Sequence, residues 1–74
     1  MQIERSLGVV GVELGETVVN VRVVTEADAR TRIEFTEDGP IVVLSDSLDV
    51  ARANRAIAAI MPALVSYLSR RVLN

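Results

Sequence analysis

The sequence predicts an α+β two-layer domain: a four-stranded antiparallel meander followed by one long C-terminal helix packed on one face, in the order β-β-β-β-α. Three observations point there. Residues 5–45 are rich in Val, Ile and Thr with period-2 alternation, the pattern of half-buried strands. Turn residues interrupt this pattern at Gly15-Glu16 and at Glu37-Asp38-Gly39-Pro40. From residue 47 onward the apolar spacing changes to three and four, which is helical. The chain, residues 1–74, is expected to be a single domain.

The first two strands are expected at 5–14 and 17–25. Gly15-Glu16, set between β-branched runs, fits a tight type II′ hairpin. A two-residue loop pairs Leu14 with Thr17, Val12 with Val19, Val10 with Val21 and Gly8 with Val23, which makes one face apolar. The opposite face is mixed: Arg5, Leu7, Val9, Gly11 and Glu13 lie against Val18, Asn20, Arg22 and Val24.

The third strand is expected at 29–36. A two-residue loop before it would set Arg32 and Glu34 on the core face, where unpaired charges are costly. An odd, three-residue loop within 26–29 restores Ile33 and Phe35 to that face and allows Arg22 to lie opposite Glu34. Asp28 suits the left-handed conformation such loops use. Asp38-Gly39 suits a type I′ turn into a fourth strand at 40–45, with Phe35 against Val42 and Ile33 against Leu44. Ile41 and Val43 then point outward. Pro40 has no amide donor and suits an edge strand.

Ser45, Asp46 and Ser47 are all good N-caps for a helix over 47–73. Its core stripe is Val50, Ala53, Ile57, Ile60, Met61, Leu64, Leu68 and Val72. Arg52, Arg55, Ser66, Ser69, Arg70 and Pro62 fall on the far side, where the proline would bend the helix around a curved sheet. At about 1.5 Å per residue this helix spans roughly 39 Å. Strands of eight residues reach only about 26 Å. The helix is therefore expected to overhang its sheet.

Composition limits the chemistry. There is no Cys and no His. Disulfides are excluded, a structural zinc site lacks its usual ligands, and a His-assisted Ser or Cys nucleophile is impossible. Neither a metal nor a cofactor is expected. Glu37 and Asp38 are adjacent but sit in a turn, where acids are solvated. Gly8, Gly11 and Gly15 lack the spacing and the following helix of a dinucleotide loop and read as bulges or as points of close packing by another chain. All eight basic residues are Arg, and the net charge is -2 with signs interspersed. That argues against phosphate-driven nucleic-acid binding. Residues 56–69 form the longest uncharged run, shorter than the roughly 20 apolar residues a membrane span needs. The N-terminus carries an acid and no apolar signal region. A small acidic cytoplasmic protein is expected, of the size and composition of a bacterial or phage accessory protein.

A domain this small without disulfide or metal is commonly supported by oligomerisation. The small-residue flank of the helix (Ala56, Ala59, Ala63), with Leu64, Tyr67 and Leu68, is the candidate self-association surface. Val9, Val18, Val24, Ile41 and Val43 on the outer sheet face, with Arg52 and Arg55 on the helix, are the candidate partner-binding residues. The expected function is a non-catalytic protein-interaction module, an adaptor, inhibitor or regulatory subunit, acting as a homodimer or higher homo-oligomer. Its partners are itself and another protein, not nucleic acid or membrane. Four antiparallel strands followed by a helix also resemble, in element order, the PC4-like and PUR-type (whirly-related) domains. That resemblance implies single-stranded nucleic-acid binding as the alternative function. The stacking this needs uses aromatics, and the chain has only Phe35 and Tyr67. A small carboxylate-dependent enzyme is a third reading.

Overall fold

A computed structural model of the chain describes residues 5–72. The strands are β1 (Arg5–Leu14), β2 (Thr17–Glu26), β3 (Arg32–Thr36) and β4 (Gly39–Ser45), followed by helix α1 (Val50–Val72). The architecture is α+β, four strands and a C-terminal helix, but the sheet is not an antiparallel meander. Its strand order is β1-β2-β4-β3. β1 is antiparallel to β2, β3 is antiparallel to β4, and β2 runs parallel to β4.

The physical reason lies in the composition of β3 and β4. Ile41, Val42, Val43 and Leu44 form an unbroken apolar run, and all four are buried. Apolar side chains on both faces are best buried in an interior strand. β3 instead alternates charge with apolar residues, so it tolerates the edge. To place β4 inside, the chain must pass beyond it first. Residues 27–31 make that crossing, in place of the expected three-residue loop. Asp28 does take the left-handed conformation (φ 57°). The Glu26 carbonyl accepts hydrogen bonds from the amides of Ala29 (3.4 Å) and Asp46 (3.1 Å), tying the start of the crossing to the turn that leaves β4. Arg22 accordingly lies beside Ile41 rather than Glu34. Pro40 precedes the first β2–β4 partner, Ile41, so its missing donor costs that ladder nothing.

The first hairpin follows expectation. Leu14 pairs with Thr17, and Gly15 has φ 64° while Glu16 does not enter positive φ, the pattern of a type II′ turn. The second hairpin differs. A type I′ turn needs positive φ at both central residues, and here only Gly39 has it (φ 110°). The loop is residues 37–38, with Thr36 paired to Gly39, Phe35 to Pro40 and Ile33 to Val42. Thr36 fixes it: its Oγ1 donates to the Gly39 carbonyl (2.8 Å) and accepts from the Asp38 amide (3.2 Å). Each β3 residue meets a partner two positions earlier than expected, so the faces are unchanged.

The helix-side core joins Val12, Leu14, Val21, Val23, Val42 and Leu44 of the sheet to Leu64 and Leu68 of α1, with Val10, Val19, Ile33, Ile57, Ile60 and Met61 at its margin. Of the sheet residues expected inward, Phe35 alone escapes this cluster. It sits 43 % exposed at the β3 edge, its ring centroid 6.4 Å from that of Tyr67. The helix begins later than expected, because Asp49 is the cap: its Oδ1 accepts from the Arg52 amide and its carbonyl from the Ala53 amide, both at 2.8 Å. Ser45 and Ser47 bond each other (2.8 Å) in the turn that leaves β4. Pro62 is exposed, as expected. At 23 residues α1 is about 34 Å long, and β1 and β2, ten residues each, reach roughly the same length. The helix is thus not longer than the two long strands, contrary to the assumption behind the expected overhang. Residue 73, expected in the helix, lies outside the described residues.

Candidate interaction surface

The outer face of the sheet, away from α1, divides into two unlike halves. Over β2 and β4, Val24, Ile41 and Val43 form a second buried cluster, at most 4 % exposed, with Ala29 of the crossing segment packed against it. Arg32 closes this half. Its Cα lies opposite Val43 on β3, yet its Nη2 reaches Glu26 Oε2 on β2 at 2.6 Å, while Nε bonds Glu34 Oε1 at 2.9 Å. The guanidinium therefore spans the intervening β4, and its aliphatic stem shields valine surface. The hydrogen bond to Glu26, and after it that to Glu34, raises the Arg32 pKa above its ordinary value. Val24, Ile41 and Val43 are thus withdrawn from the candidate partner-binding set, since the chain covers them itself.

Over β1 and the adjoining part of β2 nothing among the described residues covers the same face. Val9 is 63 % exposed and Val18 59 %. Gly11 lies between them, opposite Asn20. Val9 and Val18 therefore remain candidates; Leu7, 57 % exposed, is the unpaired residue of the bulge between Ser6 and Gly8 and lines the clefts beneath the helix. At this end the helix also stands off. Gly8, beside a bulge between Ser6 and Gly8 and at φ 139°, offers no side chain to the helix. A cleft of about 330 Å³ opens there, lined by Leu7, Val9, Val10 and Val23 below and by Val50 and Ile57 above. It adjoins a second cleft of about 350 Å³ that shares Leu7, Val50 and Ala53. Val50 is 79 % exposed, so it is not part of the core stripe. The stripe predicted it inward by spacing alone, which does not register that Gly8 leaves the floor empty.

The helix flank is also redistributed. Leu64 and Leu68 are fully buried in the chain's own core and are not available to a second copy. Ala56 is half-buried against that core, while Ala59 and Ala63 are exposed. Tyr67 is half-buried and, with Phe35, lies under the Arg71 guanidinium, 5.2 and 5.6 Å from the two ring centroids. The two aromatics of the sequence are thereby gathered at one corner with a cation, at a spacing suited to cation–π attraction. Sequence reasoning placed Phe35 in the core and missed this cluster; Phe35 reaches the corner because β3 is a border strand and the shifted turn pairs it with Pro40. Arg52 and Arg55 are exposed on the far side of α1.

Among the described residues no three His, Cys, Asp or Glu side chains gather closely enough to hold a metal ion. Nor, among the described residues, is any helix long and apolar enough to cross a membrane. No protein-family model, curated protein sequence or solved structure matches this chain.

Proposed function

We propose that this chain is a non-catalytic protein-interaction module, an adaptor, inhibitor or regulatory subunit, that works as a homodimer or higher homo-oligomer and presents the bare half of its outer sheet face to a protein partner. One observation carries this reading: a single face that is sealed over β4 and open over β1. A valine-rich composition accounts for apolar residues on both halves. It does not account for a crossing segment and an Arg32 bridge over one half and nothing over the other. Exposed, neighbouring Val9 and Val18 at the rim of an apolar cleft lined by Leu7 are what a docking surface requires. The test compares the wild type with a Val9→Ser, Val18→Lys double variant, in sedimentation and in capture of partners from the native host. Since both side chains are exposed, the variant should melt within a few degrees of the wild type and lose the partner. Identical capture profiles for a folded variant refute the assignment of the surface.

A second reading, single-stranded nucleic-acid binding, has one observation in its favour: Phe35, Tyr67 and Arg71 share one exposed corner, and bases stack on such groups. Titration with a labelled oligonucleotide at low salt decides it. No signal change for the wild type, or an unchanged one for Phe35→Ala, removes that reading.

A further inference from the structure

We propose that the second copy of the chain docks on the free edge of β1, pairing antiparallel with its own β1 about a two-fold axis through Gly11, so that two four-stranded sheets become one. This rests on the self-association half of the function proposed above and names its contact.

Gly11 carries the inference. Three of the four glycines are explained by the chain's own backbone, since Gly8, Gly15 and Gly39 all have positive φ. Gly11 does not. Nor does packing require it: a β-carbon there would meet Val18 Cγ1 at 3.4 Å and Asn20 Oδ1 at 3.9 Å, ordinary contacts. A glycine inside a strand without either reason marks a place where another backbone comes close.

The edge itself is suited to pairing. β1 is one border of the sheet and β3 the other. β3 has five residues and carries the paired charges Arg32 and Glu34. β1 has ten residues, with no proline or lysine to discourage a neighbour. Counting from the two-residue turn, whose closing pair Leu14–Thr17 exchanges hydrogen bonds, the ladder alternates so that Val9, Gly11 and Glu13 direct their N–H and C=O groups away from β2. The bulge between Ser6 and Gly8 ends the regular stretch, leaving residues 8–14, whose midpoint is Gly11. A two-fold axis there sets Gly11 against Gly11, Val9 against Glu13 and Val10 against Val12 of the second copy. Every outward group finds a partner, about six hydrogen bonds in all. The inner face gains apolar Val–Val pairs. At one hydrogen bond per 100–200 Å² this corresponds to roughly 600–1,200 Å² of interface. That is at or below the lower limit of a stable complex, so a weak dimer is expected, populated at roughly tens of micromolar and above. Both helices lie on one side of the joined sheet, and both Val9–Val18 surfaces lie on the other, still open to a partner.

The experiment is sedimentation of the full chain from about 10 μM to 1 mM, with amide exchange by NMR at both ends of that range. The expected result is a monomer–dimer equilibrium in which the Val9, Gly11 and Glu13 amides become at least tenfold better protected at high concentration. Gly11→Pro, which removes only an outward donor, should sediment as a folded monomer, and Val18→Lys, on the open face, should still dimerise. A wild type that stays monomeric throughout overturns both this proposal and the self-association reading. A dimer whose Val9, Gly11 and Glu13 amides exchange equally fast at both concentrations overturns the edge contact alone, whether or not the Gly11→Pro variant folds.

Discussion

Helix α1 carries a uniform apolar stripe, yet its two halves should contribute very unequally to stability. Leu64 and Leu68 are fully buried, Ile57 is half-buried beside the open cleft, and Val50 is 79 % exposed. Truncating a fully buried leucine to alanine costs about 2–5 kcal/mol, from lost transfer energy and the cavity left behind. A domain of this length has about 4–11 kcal/mol in total. Leu68→Ala, at about 3 kcal/mol, should therefore remove a large fraction of it. For a domain of this size, about 4–8 °C of Tm is lost per kcal/mol, so the melting point should fall by roughly 12–24 °C. Ile57→Ala should lose about half as much, because less surface leaves water there. Val50→Ala should stay within about 0.5 kcal/mol of the wild type. Thermal unfolding followed by circular dichroism measures all three, at one fixed protein concentration because association would shift Tm. If Val50→Ala or Ile57→Ala melts as early as Leu68→Ala, the N-terminal half of the helix is packed as tightly as the C-terminal half, and the cleft beside β1 is not open in solution.

Further outcomes follow from the caps, the glycines and the Arg32 bridge. Asp49→Ala should cost about 1 kcal/mol by chemical denaturation, the loss of an N-cap, whereas Ser47→Ala should change stability by less than about 0.5 kcal/mol. Gly15→Ala and Gly39→Ala should each cost about 1–2 kcal/mol from backbone strain alone, since added β-carbons there meet nothing within 4 Å; Gly11→Ala should stabilise the monomer by up to about 1 kcal/mol. Arg32→Ala should raise the binding of a hydrophobic dye and speed amide exchange at Val24 and Val43, while Arg32→Met, which keeps the stem, should do so far less. The sign of the pH effect is set by the raised Arg32 pKa: its contribution is complete below the ordinary guanidinium value and is lost only as pH rises through the still higher folded value. Denaturation midpoints at neutral pH and at about pH 10 should therefore not differ on its account.

Which residues face the helix was legible in the sequence; which strand lies beside which was not. Face membership needs only period-2 alternation and the parity of each turn. The β3–β4 turn shifted its partners by two positions and so left Ile33 on the same side. Neighbour relations between non-consecutive strands need a further choice, and the short crossing was read as a hairpin. The signal against that reading was present. Residues 41–44 are apolar at every position, which suits a strand buried on both faces. Pro40 outweighed it, because proline favours edges; a proline at the start of a strand, ahead of the shared ladder, is equally tolerated. Asp49 also has a capping side chain, but Ser47 is an equally good cap two residues earlier, and the apolar spacing does not choose between them.

The outer face shows why candidate binding residues are harder to identify than core residues. Alternation alone assigned Val9, Val18, Val24, Ile41 and Val43 to one equivalent set. The fold separates them through a segment, residues 27–31, whose path follows from the order of β3 and β4 and not from any local pattern. The arginine that completes the seal takes one partner two residues away and another across an intervening strand, a relation that sequence spacing cannot express. Once that cover is assigned, the uncovered residues have a sharper meaning. The same chain that seals Val43 leaves Val9 and Val18 open, leaves the outward hydrogen-bonding groups of β1 without a neighbouring strand, and places at their centre a glycine that neither its φ nor its packing requires. These features have different causes, namely side-chain exposure, strand order and backbone conformation, and they converge on β1. A surface produced by valine-rich composition alone would have no reason to coincide with that glycine.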